Sequence, residues 1–304
     1  NEKFIFVEGD RNSRNIIALL NLNGAIINNF NQPIIGNMIE YINPNDVKNY
    51  LSQLESIKPK ILIIKINSPG GTVTASNSLE KIFLNFKIEN NTEIYFHSDE
   101  ILASGGYWVA TSGDKIFASY GSVVGSIGVS GPSWYYYDKP VSITTNIFGQ
   151  KIETKNGIEI FDHNAGISKD LFNPFRKPTK KELDHLGNMV EDIYKDFLNK
   201  VSKSRKIEVN ILKNDIAALI YSSEQAKAKF LIDDVISFDK LIQQIIKNKN
   251  YKDYKIIEIK NENNFIKNYL SNFFISENRS LCNKLDSNFV SIFPIFINKC
   301  WLIY

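Results

Sequence analysis

The run Lys60-Ile61-Leu62-Ile63-Ile64-Lys65-Ile66, closed by Asn67-Ser68-Pro69-Gly70-Gly71, decides the reading of this chain. Its residues are largely β-branched and almost continuously apolar, as in a strand covered on both faces of a mainly parallel sheet. The Pro-Gly-Gly turn that ends it can aim backbone N–H groups into a cleft, because glycine reaches positive φ and lets a ligand approach the main chain. About thirty residues beyond Gly71, the stretch Ala103-Ser104-Gly105-Gly106-Tyr107 sets a serine among small residues just ahead of Trp108-Val109-Ala110. At the start of a helix such a serine is either an N-cap or a nucleophile at the helix end that favours developing negative charge.

Working outward, residues 15–22 read as a strand, and Pro44-Asn45-Asp46 opens an amphipathic helix through Val47, Leu51 and Leu54. Residues 60–67 form the decisive strand, 73–86 a helix, 92–96 a strand, 104–111 a helix and 115–118 a strand. This alternation predicts an α/β fold of repeated βαβ units, a largely parallel sheet and flanking helices, with functional groups at the carboxyl ends of the strands. Residues 121–129 are a glycine-punctuated loop and strand, followed by the cluster Trp134-Tyr135-Tyr136-Tyr137. From Thr179 the positions Leu183, Leu186, Val190, Ile193, Phe197 and Val201 keep the spacing of a long amphipathic helix of about seven turns. Residues 223–230 and 238–246 are further helices. The expected organisation is a lead-in over 1–14, one main domain over 15–248, and an Asn- and Lys-rich extension over 249–304.

Composition narrows the function. With 304 residues, 43% hydrophobic and 23% charged, the chain can bury a substantial core and is not a disordered polymer. A net charge of +3, with lysines dispersed and no basic face interleaved with aromatics, argues against a nucleic-acid partner. Cys282 and Cys300 lie late in the chain with no histidine beside them, so neither a thiol nucleophile nor a metal site is expected, and their pairing stays open. No run of 18 or more apolar residues occurs; residues 289–304, broken by Pro294, Asn298 and Lys299, read as a packing or interfacial segment.

A serine hydroxyl needs a base to take its proton. The three histidines are weak candidates: His97 ends a strand and suits a sheet-edge packing role equally well, His185 falls on the long helix, and His163 lies in a loop near Lys169. Taken alone, Lys169 reads as one more solvated loop lysine and Ser126 as a turn residue.

Five motifs occur in order: Asn67-Ser68-Pro69-Gly70-Gly71, Ala103-Ser104-Gly105-Gly106-Tyr107-Trp108, Asp114-Lys115-Ile116-Phe117-Ala118, Gly125-Ser126-Ile127-Gly128-Val129 and Ser168-Lys169-Asp170. In that order the chain resembles the signal peptide peptidase A, or protease IV, family in its short, single-repeat form, over roughly residues 15–245. The resemblance implies a ClpP/crotonase-like fold and peptide hydrolysis by a serine/lysine dyad, without cofactor or metal. It makes Ser104 the nucleophile and Lys169 the general base. The amides of Gly71 and Gly105 become the oxyanion hole, and Ser126 the residue that orients the lysine amine. A lysine acts as a base only when neutral, so a snug, water-poor surrounding is expected. The implied substrates are cleaved signal peptides and other short or membrane-derived peptides. The implied assembly is a homo-oligomeric ring, within or across whose protomers the dyad forms. The implied location is the bacterial inner membrane surface, with the cytoplasm as the alternative.

The chain departs from the family in three respects. About a dozen extra residues separate Ser104 from Lys169, around positions 146–164; Asn164-Ala165-Gly166-Ile167 replaces the usual basic-Ser-Gly approach to the lysine; and the usual N-terminal anchor is not in the sequence. Two rival functions share the fold: a peptide-binding scaffold that has lost its base, and an acyl-CoA enzyme of crotonase type. A Ser/His/Asp mechanism is disfavoured because Gly128-Val129-Ser130 stands where its histidine would be.

Overall fold

A computed structural model of the chain describes residues 4–28, 40–138, 142–144, 151–153, 157 and 164–260. In chain order the first elements are β1 (Phe4–Gly9), β2 (Ile16–Asn23), β3 (Ala25–Ile26), β4 (Tyr41–Ile42), α1 (Pro44–Leu54), β5 (Ile61–Asn67), α2 (Val73–Asn90), β6 (Glu93–Ser98), β7 (Ile101–Ala103), α3 (Gly105–Ala110), β8 (Lys115–Ala118) and β9 (Val123–Gly125). There follow β10 (Ser142–Thr144), β11 (Lys151–Glu153), α4 (Lys180–Arg205), α5 (Val209–Ile211), β12 (Ile220–Ser222), α6 (Ser223–Ala228), β13 (Asp234–Val235), α7 (Phe238–Asn248) and β14 (Lys255–Ile259). The chain divides into two compact units, one of the residues up to Ile127 and from Lys200 onward, the other Gly128–Asn199.

The first unit is built on a seven-stranded sheet of order β1-β14-β2-β5-β6-β8-β13, parallel throughout except for the edge pair β1/β14. Strand β5 lies at its centre, and Ile61, Leu62, Ile63, Ile64 and Ile66 are all buried, which is why its sequence shows no alternation. On one face Ile61 and Ile63 join Ile17, Leu19, Phe117 and the α7 residues Leu241 and Ile245. Elsewhere in the core Phe83 of α2 meets Phe96 of β6 edge-on, ring centroids 5.5 Å apart. The expected α/β class with repeated βαβ units is the observed architecture. Within the second unit, β10 and β11 form an antiparallel pair.

Two features differ from expectation. Helix α2 continues to Asn90, four residues past the expected end. It is stopped there by Asn91 in the left-handed region at φ 49°, whose N–H reaches the carbonyls of Lys87 and Ile88. Asparagine tolerates that conformation and so closes a helix without glycine. The sheet also takes in residues on both sides of the expected 15–248 domain: β14 inserts between β1 and β2, pairing Ile256 with Ile17 and Ile257 with Phe6. Residues 261–304, with Cys282, Cys300 and the 289–304 segment, lie outside the described residues, as does His163.

Asp233 ties several of these elements together. Its carboxylate accepts from Lys115 Nζ at 2.8 Å, the Ile116 amide at 2.9 Å and Arg205 Nη1 at 2.8 Å. Burial raises this carboxyl, but the bonds from Lys115, Ile116 and Arg205 outweigh it and hold it below the usual carboxylate range. Its contribution to stability is therefore complete above roughly pH 4 and is lost as acid protonates it below that. Asp233→Ala strands two cations and an amide, and is expected to cost about 2–4 kcal/mol in urea unfolding at pH 7. The difference from wild type should shrink as the pH is lowered through 4; a constant difference would show that charge pairing is not the cause.

Candidate functional site

The polar residues of the β5 turn are structural pins. Asn67 Oδ1 accepts from Ser98 Oγ at 3.1 Å and from the amides of Asp99 and Glu100 at 3.0 Å each, fastening the β6–β7 corner to the end of β5. The Ser68 amide donates to Ile101 O at 2.8 Å and Ser68 O accepts from the Ala103 amide at 3.0 Å, so β7 runs alongside the turn. Ser68 Oγ accepts from the Gly70 amide at 3.1 Å, a short side chain closing its own turn. On the other side the Ile26 amide bonds Gly70 O at 2.8 Å, and the Thr72 amide bonds Ile26 O at 2.9 Å. Thr72 then caps α2.

Ser104 sits between β7 and α3 with φ 51° and ψ −122°, a conformation that costs a non-glycine residue roughly 1–3 kcal/mol. The neighbourhood over-determines it. Its amide donates to Gly125 O at 2.9 Å, and its carbonyl accepts the first helical bond from Trp108 at 2.9 Å. Helix α3 is buried along its length: Tyr107 Oη donates to Leu231 O at 2.7 Å, and Trp108 Nε1 donates to Glu80 Oε2 at 2.8 Å. Glu80 in turn pairs with Lys200 at 2.9 Å. A strained strand-to-helix corner of this kind lifts a side-chain oxygen clear of the backbone around it.

The two glycine turns touch with no room for side chains. A methyl group on Gly70, where φ is 108°, would lie 2.8 Å from Ser104 Cβ, 3.1 Å from Ser104 Oγ and 2.9 Å from the Gly105 nitrogen. One on Gly105 would lie 3.2 Å from the Gly71 nitrogen and 2.3 Å from Ser76 Oγ. Neither the Gly71 nor the Gly105 amide has an acceptor among the described residues, the latter because it opens a helix. Two free amides beside a raised hydroxyl can hold the oxygen of a carbonyl whose carbon is in reach of that hydroxyl.

The sequence candidates fall as follows. Gly71, Ser104 and Gly105 come together. Ser126 follows Gly125, the anchor of the Ser104 amide; it is at φ 51° and bonds Leu219 O through its own amide at 2.7 Å. Lys169 belongs to the other unit and is exposed, so its own loop does not supply the dry surrounding expected for it. His97 is buried, with Nε2 2.8 Å from Ile236 O and its ring on Phe238; burial pushes its imidazole down, the state of a neutral packing residue. His185 is exposed on α4. Among the described residues no group of three or more His, Cys, Asp or Glu could hold a metal, and no helix is long and apolar enough to cross a membrane. Sequence reasoning assigned nothing to Ser76, whose hydroxyl is buried against Gly105 without a hydrogen-bond partner among the described residues. The available signal was its position four residues after Thr72, on the first turn of the helix that leaves the glycine pair.

The family model of peptidase family S49 matches residues 89–252, more than half of the chain. A protein of Enterococcus faecium named as a signal peptide peptidase, SppA, is 28% identical over 251 residues, covering 81% of this chain and 69% of its own. A protein of Methanocaldococcus jannaschii named as a protease is 30% identical over 226 residues, covering 72% of this chain and 67% of its own. Among solved structures, a mutant of the 1510-N membrane-bound stomatin-specific protease is 14% identical and superposes over 76% of this chain and 84% of its own, with a TM-score of 0.46. The family match over more than half of the chain, together with the similarity to the SppA and Methanocaldococcus jannaschii proteins, establishes that this chain belongs to peptidase family S49 and is a serine peptidase of the SppA and protease 4 group.

Proposed function

We propose that the chain is an endopeptidase working through a Ser104/Lys169 dyad on cleaved signal peptides and other short or membrane-derived peptides. Ser104 Oγ attacks the scissile carbonyl carbon as its proton passes to the neutral Lys169 amine, and the negative oxygen is held by the Gly71 and Gly105 amides. The tetrahedral intermediate collapses with cleavage of the C–N bond, the lysine returning its proton to the leaving amine. Water then repeats the sequence on the acyl-enzyme. Ser126 orients the lysine. The observation that carries this reading is the strained Ser104 beside two amides without acceptors. The exposure of Lys169 on its own loop favours a dyad completed by surfaces outside that loop; the assembly proposed for the active enzyme is a homo-oligomeric ring working at a membrane surface.

The test is cleavage of a fluorogenic signal-peptide fragment, with a serine-directed electrophile to trap the nucleophile and mass spectrometry to locate it. The adduct is expected on Ser104, and Lys169→Ala is expected to lower turnover by at least about 100-fold without loss of fold. Sedimentation should show the active species to be an oligomer. Peptide binding without cleavage would indicate a scaffold. Acyl-CoA turnover that survives Ser104→Ala would indicate a crotonase-type enzyme.

A further inference from the structure

We propose that Arg176 is a positioning residue for catalysis, a two-edged clamp that fixes the backbone beside Lys169 by gripping Asp170 and anchoring it to the start of α4. The proposal rests on the serine/lysine reading above and adds to it a reason why the base is held still.

The lysine loop needs such a device. Residues 164–179 have no strand or helix to hold them, and the backbone enters the positive-φ region at Gly166 (104°), Ser168 (62°) and Phe172 (68°). Among the described residues its main-chain bonds ahead of Thr179 are three short turns, Lys169 N to Gly166 O at 3.2 Å, Leu171 N to Ser168 O at 3.1 Å and Asn173 N to Asp170 O at 3.0 Å, and one bond from outside, Tyr137 N to Pro174 O at 2.8 Å. Left to these, a loop with two strained non-glycine residues would sample several shapes.

Arg176, six residues past Asp170 in the same loop, restricts it. Its Nε and Nη2 donate to the two oxygens of Asp170 at 2.5 and 2.8 Å. Its Nη1 and Nη2 donate to the two oxygens of Glu182 at 2.9 and 2.8 Å. Glu182 is buried in the first turn of α4 and also accepts from the amide and hydroxyl of Thr179 at 2.8 and 2.9 Å, while Thr179 Oγ1 accepts from the Glu182 amide at 3.3 Å. This is the reciprocal pairing of a helix capping box. The guanidinium lies over the Trp134 ring, 5.0 Å from its centroid, and Trp134 Nε1 donates to Asn173 O at 3.1 Å, within the same loop. A continuous path of bonds thus runs from a 26-residue helix through one planar fork to the residue that follows Lys169.

The chemistry of the fork fits that task. Both carboxylates are held below the usual range by Arg176, so both are charged near neutrality. Only a guanidinium can engage two carboxylates edge-on and an indole with its face; a lysine ammonium supplies charge but no fixed geometry. Partly exposed ion pairs add little to stability, so the return on such a network lies in geometry. A base displaced by about 1 Å from its near-attack position can lose 100-fold in rate.

The experiment measures kcat and KM for the signal-peptide fragment with Arg176→Lys, Asp170→Asn, Lys169→Ala and the Arg176→Lys/Lys169→Ala double variant, in the full chain, each confirmed folded and assembled. Arg176→Lys is expected to lower kcat by about 10- to 100-fold with KM within about twofold, and Asp170→Asn to do the same. In the Lys169→Ala background, Arg176→Lys should change the residual rate by less than about twofold, because the clamp then has no base to position. A purely structural clamp would lower the melting temperature and leave kcat per folded enzyme at the wild-type value, and that outcome overturns the proposal while leaving the dyad intact. An active Lys169→Ala enzyme overturns the dyad and the proposal with it. Should Arg176→Lys fail to fold, the near-isosteric Asp170→Asn decides by the same split.

Discussion

Ser104→Gly is expected to abolish turnover and at the same time to stabilise the protein. As the proposed nucleophile, Ser104 has no substitute on its corner, so its removal should lower kcat/KM by about 10⁴-fold or more, leaving what the amides and binding alone can do. The stability effect follows from the backbone. At φ 51° and ψ −122° a residue with a Cβ costs roughly 1–3 kcal/mol, and glycine relieves most of that while adding about 0.5–1 kcal/mol of unfolded-state entropy. The balance is a gain on the order of 1 kcal/mol, or roughly 2–4 °C in melting temperature. Ser104→Ala keeps the Cβ and the strain, so it should be equally inactive with an unchanged melting temperature. The pair separates chemistry from conformation. Activity above about 1% in Ser104→Ala would remove Ser104 from the mechanism, and a Ser104→Gly protein no more stable than Ser104→Ala would show that the corner carries no strain.

That strain could not be read from Ala103-Ser104-Gly105-Gly106. The sequence presents a serine before a helix, and an ordinary N-cap is extended, as Thr72 is at ψ 144°. Ser104 departs from this because the Ser68 carbonyl holds the Ala103 amide and the Gly125 carbonyl holds its own. Neither partner is local in sequence. By contrast, β5 was legible, because a strand buried on both faces shows its burial directly as an unbroken apolar run, and Lys115–Ala118 was found at its observed limits because Asp114 and Ser119 frame it with polar residues. The sheet edge was harder. Lys255-Ile256-Ile257-Glu258-Ile259 is short and set in Asn- and Lys-rich surroundings, and its place depends on Phe4–Gly9 some 250 residues earlier, a pairing that no local pattern announces.

The site itself was partly legible. Gly70, Gly71, Gly105 and Gly106 signal close approach of backbones, since glycine is needed where a methyl group would collide, and the collisions are there. Lys169 was reached through motif order and not through its environment, which is a turn-rich loop whose organisation depends on Arg176 and Glu182, seven and thirteen residues downstream.

Gly105→Ala tests that packing and the proposed oxyanion hole together. The backbone of Gly105 is not in the positive-φ region, so alanine meets no conformational penalty there and the outcome depends on space alone. The new methyl would stand 2.3 Å from Ser76 Oγ and 3.2 Å from the Gly71 nitrogen, so relief requires moving one amide away from the other. Removing one donor from such a site lowers kcat by about 10²- to 10³-fold, and Gly105→Ala is expected to fall in that range with KM little changed. Ser76→Ala should restore much of the loss. It deletes the oxygen at 2.3 Å and leaves Ser76 Cβ at 3.4 Å, an ordinary contact. On its own Ser76→Ala should be benign, because the hydroxyl it removes is buried and unpartnered and its loss strands no other group. The double variant should therefore recover at least about tenfold over Gly105→Ala, short of wild type because the methyl still abuts the Gly71 amide. Gly106→Ala gives the contrast: its methyl would meet the Ser68 carbonyl oxygen at 2.9 Å, and no side-chain deletion opens that space. Equal kcat for Gly105→Ala with and without Ser76 would mean that the clash is absorbed elsewhere, and a Gly105→Ala enzyme with wild-type kcat would dismiss the Gly105 amide as an oxyanion donor.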